Sequence, residues 1–239
     1  MIDSLDSSYS DSIGEIEDQI TPFEKIFRGQ FIQIVQCRNC KFVSQSTQPF
    51  KDIIVDITSV NTVQKAVDLY FNTSDVKEYK CRECKVSATA TKDMYIQDLP
   101  LVICVQLMRF TSTGKISKHI ELNQILDMKP YFFGETGNAE VNYVVRALVK
   151  HIGQSKKCGH YTTVAEFNGK FFEYNDAIVD EVLTKRDVEK NTYLIFLEKQ
   201  STVQEPNILA KSKPTDLFEP ISSREYFENF GKRIVSVGA

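Results

Sequence analysis

Two short cysteine turns constrain this chain more than any other feature. Cys37-Arg38-Asn39-Cys40 and Cys81-Arg82-Glu83-Cys84 are C-x-x-C knuckles with residues 41–80 between them. Each can present two thiolates through one tight turn, and four thiolates at about 2.3 Å complete the tetrahedral shell of Zn²⁺ without leaving an open position. Such an ion is structural. The separation exceeds that of a compact zinc ribbon, so the ion is expected to clip two β-ribbons by their tips while residues 41–80 leave and return. Two disulfides or unliganded thiols are the alternatives. They are disfavoured by the chain's first residues, MIDSLDSSYSDSIGEIEDQ, which have neither the basic start nor the apolar core of a secretory signal and so place the cysteines in a reducing compartment, cytoplasm or nucleus.

The other two cysteines differ in setting. Cys104 lies in the apolar run Leu101–Leu107 and reads as a small core hydrophobe. Cys158 lies in a segment flanked by Gly153 and Gly159, just before a histidine, and is a reactive candidate. With 239 residues, 42% hydrophobic and 26% charged, the chain suffices for one large domain or two small ones. A membrane span is not expected, because the best apolar run stops at Arg109, far short of the roughly 20 residues a crossing helix needs. Residues 1–20 carry six acids and no Lys or Arg, and residues 201–239 balance five against five. The net charge of −3 therefore leaves +3 on residues 21–200. No basic stripe concentrates that charge, which excludes a nucleic-acid footprint.

The acidic, serine-rich residues 1–22 read as a disordered arm, and residues 200–239 as a tail whose one candidate helix lies in SREYFENFGKRIVSV. Residues 23–199 form the folded body. Strands are expected at 31–36, 42–46, 53–57, 93–97, 101–107, 143–149, 161–167, 170–174 and 192–197. One helix is clear: Asn61 or Thr62 can cap it, and Val63, Ala66, Val67, Tyr70 and Phe71 share a face. A second is expected after Thr184.

Of three histidines, His119 follows a polar segment and is expected to be exposed, whereas His151 ends an apolar strand and is expected to cap or pack. His160 starts a strand after a glycine-flanked loop, where a side chain can face a cleft. The dipeptide Asn168-Gly169 predicts a two-residue hairpin turn, so that Phe167 faces Lys170. Extended along the strands, that register sets His160 opposite Ala177, with Asn175 its diagonal neighbour on the same face. Asp176 faces Tyr161 and points away. An imidazole oriented by an asparagine is the base of Cys-His-Asn hydrolases, in which a thiolate attacks a carbonyl; a polar sheet contact without catalysis is the alternative.

Taken in order, these residues resemble the catalytic domain of the ubiquitin-specific proteases, papain-like deubiquitinating enzymes. The matching blocks are Phe27-Arg28-Gly29-Gln30, Cys37-x-x-Cys40, Asp56-Ile57, Tyr79-x-Cys81-x-x-Cys84, Leu99-Pro100, Leu107-Met108-Arg109-Phe110, Lys115 to Lys118, Tyr143, His151-x-Gly153, Gly159-His160-Tyr161, Tyr174-Asn175-Asp176-x-x-Val179 and Tyr193-Leu194-x-Phe196. The resemblance implies an α+β, β-dominated fold: a papain-like palm with a zinc-clipped fingers lobe that grips ubiquitin. It implies that His160 is the catalytic base, Asn175 the third triad member and Asp176 the second acid, linked to transition-state stabilisation. The loop Ile152–Gly159 resembles one that closes over ubiquitin's C-terminal tail. The implied reaction is hydrolysis of the amide or isopeptide bond after ubiquitin's last glycine.

Two departures qualify this. Family members carry a nucleophilic cysteine in a block ahead of the first knuckle, and residues 1–36 contain no cysteine, so the nucleophile and the thumb around it are expected to be missing from these 239 residues. The family's Trp before the third triad position is replaced by Phe171 and Phe172. The expected partners are ubiquitin and ubiquitinated proteins, with neither nucleic acid nor membrane. The alternative is a catalytically inactive ubiquitin-binding or scaffold protein of the same descent. Cys158 is a poor substitute nucleophile, since two residues along one strand from His160 it leaves no room for a substrate carbonyl.

Overall fold

The computed structural model describes residues 7–8, 21–112, 114–134, 141–155, 158–182 and 191–200. Fourteen strands (β1 Gly29–Cys37, β2 Val43–Phe50, β3 Asp52–Val55, β4 Ser74–Lys80, β5 Ser87–Asp98, β6 Val102–Leu107, β7 Phe110–Thr111, β8 Gly114–Lys115, β9 Ile125–Asp127, β10 Asn142–Ser155, β11 Cys158–Phe167, β12 Lys170–Asn175, β13 Ile178–Val182, β14 Thr192–Lys199) are joined by two α-helices, α1 Pro22–Phe27 and α2 Val63–Tyr70, and a 3₁₀ turn at Lys129–Tyr131. The β-dominated α+β architecture matches expectation. The predicted arm over 1–22, the helix after Thr184 and the tail over 200–239 fall almost wholly outside the described residues.

The strands form two main sheets. β2-β1-β5-β4 is a four-stranded antiparallel sheet made of two hairpins side by side, and β13-β12-β11-β10-β14-β6-β3 is the larger one, with β9 paired to β10. In the larger sheet only β3 and β6 run parallel. The core lies on this sheet's inner face, where Ile53, Val55, Ile103, Val105, Leu148, Val164, Ile195 and Leu197 alternate along their strands as half-buried strands must. Among the described residues, no helix is long and apolar enough to cross a membrane.

Helix α2 forms where its capping chemistry predicts. The Thr62 hydroxyl accepts the Lys65 N–H at 3.2 Å, and Val63, Ala66 and Val67 are buried against the core. Aromatic rings join this helix to the base of the smaller sheet: Phe31 stacks on Phe50 at 3.9 Å, Phe71 meets Phe31 edge-on, and Phe71 stacks on Tyr131 at 4.6 Å. Gly29 permits the first of these contacts, because a Cβ there would lie 2.4 Å from Phe50 Cζ and 2.8 Å from the Asp98 carbonyl.

Several elements lie outside the pattern read from the sequence, the 3₁₀ turn at Lys129–Tyr131 among them. Helix α1 is a single capped turn, with Thr21 accepting from Glu24 at 3.1 Å. Strands β4, β7, β8, β9 and β13 lie outside every expected strand; β4 and β13 expose most of their residues. The segment read as a loop over 152–159 is largely strand, since β10 runs through Ser155 and β11 begins at Cys158, with a register shift between Ile152 and Ser155.

Candidate functional site

The two cysteine knuckles turn out to be copies of one turn. The Lys41 N–H donates to the Cys37 carbonyl at 2.9 Å and the Lys85 N–H to the Cys81 carbonyl at 3.0 Å; Cys37 N–H then returns to Phe42 and Cys81 N–H to Val86. Lys41 and Lys85 both adopt left-handed φ, 63° and 61°. One knuckle closes the β1–β2 hairpin and the other the β4–β5 hairpin, and the β1–β5 ladder holds them side by side. All four sulfurs lie within 4.8 Å of one another. Across the knuckles, Cys40 and Cys81 are 3.6 Å apart and Cys37 and Cys84 4.0 Å apart. A tetrahedron with Zn–S of about 2.3 Å has edges of about 3.8 Å, so the donor set fits the ion. The Cys40 N–H holds the Cys37 thiol below its ordinary range, and the Val86 N–H with the Asn39 amide brings Cys84 to about 6. Thiolates, the form that binds zinc, are thereby favoured at Cys37 and Cys84, whereas at Cys40, against the pull of the Phe42 N–H, burial and the neighbouring sulfurs push the thiol up to about 11. Arg38 pairs with Asp75, and the Arg82 guanidinium stands 4.9 Å over the Phe42 ring, which ties each knuckle to the opposite hairpin.

The second constellation is at the far end of the larger sheet. Asn168 and Gly169 take φ of 52° and 78°, the left-handed pair a two-residue turn requires, and the ladder runs from Phe167↔Lys170 to Thr163↔Tyr174 as read from the sequence. His160 Nε2 lies 2.6 Å from Asn175 Oδ1. A carboxamide oxygen only accepts, so Nε2 carries a proton, and in the neutral ring Nδ1 keeps its lone pair. The expectation for Asp176 needs correction. The β11–β12 ladder stops at Thr163↔Tyr174, and the chain turns again through Asp176, at φ 52°, and Ala177 so that Asn175 pairs with Ile178 of β13. His160 therefore has no Ala177 opposite it. Asp176, exposed and not aimed away, comes to 4.0 Å from His160 Nε2.

Sequence reasoning undervalued His151. It packs, as expected, but it is 1% exposed and neither ring nitrogen has a hydrogen-bond partner. Phe110 and Tyr161 meet its ring edge-on at 5.1 and 4.9 Å, and a Cβ on Gly159 would lie 2.1 Å from its Nε2. Burial, with the Lys115 charge second, holds His151 below the ordinary histidine range. Lys115 Nζ donates to the carbonyls of His151 and Gly153 at 2.7 and 2.9 Å, pinning this end of β10. Arg109 is 2% exposed and donates to the carbonyls of Ile116 and Lys118, at 3.0 and 2.9 Å, and of Thr192, with no carboxylate partner among the described residues. His119 is exposed. Cys104 is buried, and burial pushes its thiol up to about 12, the inert state expected of it. Cys158 is exposed.

A palm-like sheet ending in a His-Asn pair, with a smaller sheet clipped by four cysteines, defines the ubiquitin-specific-protease class of fold. A family model described as ubiquitin carboxyl-terminal hydrolase matches residues 1–201, and the chain belongs to that family. "Ubiquitin carboxyl-terminal hydrolase 36" of Drosophila willistoni is 31% identical over 193 residues, covering 78% of this chain and 15% of the relative. Its namesake in Drosophila melanogaster is 29% identical over 192 residues, covering 78% and 18%. Among solved structures, a chain of the SAGA DUB module containing Ubp8, Sgf11, Sus1 and Sgf73 bound to monoubiquitin superposes with TM-score 0.72 at 25% identity, covering 84% of this chain and 46% of that one. The same module bound to ubiquitin aldehyde gives 0.72 at 24%. The chain thus spans under half the length of the proteins it resembles.

Proposed function

We propose that this chain is the fingers and palm of a cysteine-type ubiquitin hydrolase, and that His160 and Asn175 serve a nucleophilic cysteine carried outside its 239 residues. The observation that carries the reading is the 2.6 Å contact of His160 Nε2 with Asn175 Oδ1, which in the neutral ring leaves the Nδ1 lone pair to take a proton. In the proposed reaction Nδ1 takes the thiol proton, and the thiolate adds to the carbonyl carbon of ubiquitin's last glycine. The imidazolium returns the proton to the departing amine, and a water activated by the same histidine then cleaves the thioester. Asn175 orients the ring and Asp176, exposed beside it, stabilises charge in the transition state. Cys37, Cys40, Cys81 and Cys84 hold a structural Zn²⁺ that keeps the fingers in the shape that grips ubiquitin. The exposed apolar side chains Ile152, Tyr161, Ile178 and Val179 near the His-Asn pair support a palm that packs against further chain.

A second reading, ubiquitin binding without turnover, is favoured by the placement of the cysteines: four cluster at the fingertips, one is buried, and Cys158 shares a strand with His160. The two readings share one test. The reduced, zinc-loaded chain is incubated with a ubiquitin derivative bearing a cysteine-reactive C-terminus, and intact mass is measured. Binding without an adduct is expected; an adduct mapped to Cys158 would overturn the placement of the nucleophile. In a chain that joins these residues to a nucleophile, His160→Ala should lower turnover by roughly 10²–10⁴-fold, and undiminished turnover would remove His160 from the site.

A further inference from the structure

Beyond Tyr174 no backbone hydrogen bond of the β11–β12 ladder holds Asn175 near His160, because that ladder ends at Thr163↔Tyr174. The backbone pairing that Asn175 keeps is to Ile178 of β13, on the side away from His160, and a polar group one step back ties β12 to β11. Lys150 pairs with Thr162 and Ile152 with His160 across β10 and β11. Alternate residues share a face, so Lys150, Thr162 and His160 lie on one side of the sheet. Glu173 faces Val164 across β12 and so lies on that side too, two residues before Asn175. There Glu173 Oε1 accepts from the Thr162 hydroxyl at 2.7 Å and meets Lys150 Nζ at 3.3 Å. Thr162 is 2% exposed and the Lys150 side chain 6%. A lysine buried to that degree persists only when paired, and Glu173 is the carboxylate that pairs it. One carboxylate thus ties the end of β12 to both β11 and β10, next to the strand end that carries Asn175.

We infer that Glu173, with Lys150 and Thr162, is a positioning residue: the Lys150–Glu173–Thr162 clamp sets the reach of Asn175 to His160 and so fixes the imidazole tautomer. This rests on the His160–Asn175 pairing proposed above, and the test separates the two. The chain contains three histidines, so imidazole nitrogen resonances of the full, reduced, zinc-loaded, ¹⁵N-labelled chain resolve His160 from His119 and His151. Wild-type His160 is expected in the single Nε2–H form, and Asn175→Ala to convert it to a mixture of tautomers. Glu173→Ala, which removes both contacts, is expected to move the His160 signals in the same direction. Thr162→Val, which removes one contact and keeps the shape, moves them less and serves if Glu173→Ala fails to fold. His119 and His151 signals stay in place in both. His160 signals that coincide with wild type in the folded clamp variants, while Asn175→Ala shifts them, would overturn the clamp alone, as would a shift shared by all three histidines. His160 signals indifferent to Asn175→Ala would overturn the pairing and the clamp together.

Discussion

The two sheets are both antiparallel in the main, yet they are held together by different means. In the smaller sheet β2 buries only Phe50 and β4 buries nothing. It is held at its base, where Phe31 stacks on Phe50 and meets Phe71 edge-on, and at its tip, where four sulfurs meet. In the larger sheet β6 buries four of its six residues and β14 four of its eight, and Ile103, Val105, Leu107, Ile195 and Leu197 belong to one core. A ribbon too thin to own a core can be fixed only at its ends, which is the task a closed metal site performs in small domains.

Zinc removal tests this difference with the largest effect. Chelation, or Cys84→Ser, should abolish hydrogen-exchange protection along the tips of β1, β2, β4 and β5 while β10, β11 and β14 keep theirs; loss of both together would break the contrast. Arg109→Ala is the reciprocal test. It orphans three backbone carbonyls in the larger sheet's surroundings and should cost about 3 kcal/mol in urea unfolding, with zinc affinity unchanged. Gly159→Ala should cost about 1–3 kcal/mol, because the added methyl meets the His151 ring; a neutral result would mean that the ring has room to move. The smallest effect is on pH dependence. His151 is held neutral in the fold, so the unfolded chain takes up its proton first as pH falls below about 6.5. The stability it contributes is complete above that pH and declines below it, by at most about 1.4 kcal/mol per pH unit. His151→Leu should flatten that slope in thermal unfolding followed from pH 7 downward, and an unaltered slope would assign it elsewhere.

What could be read from the sequence was local chemistry. The C-x-x-C turns gave the fingertips and the pairing of hairpins, and Asn168-Gly169 gave a register that holds as far as Thr163↔Tyr174. Edge strands were illegible: β4 reads SDVKEYK, and an edge exposed on both faces needs no alternation of apolar residues. The end of the β11–β12 ladder was illegible for a related reason. Asp176-Ala177 lacks the Asn-Gly signature, so a second turn went unseen and Asp176 was assigned to the wrong side. His151 and Lys150 are neighbours on opposite faces of β10, and nothing in KHIG distinguishes a buried pair from a solvated one. Only the packing of Phe110 and Tyr161 around one and the carboxylate of Glu173 beside the other settles it.

The fingertip draws its sulfurs from two hairpins that lie far apart in the chain. A ribosome adding about 5–20 residues per second releases Cys37 and Cys40 several seconds before Cys84. During that interval the nascent chain offers two thiolates, half a coordination shell, and strand β1 still lacks its neighbour β5. The four sulfurs can therefore meet only late in synthesis, and if they hold the proposed Zn²⁺, its availability at that moment would bear on how the thin sheet closes.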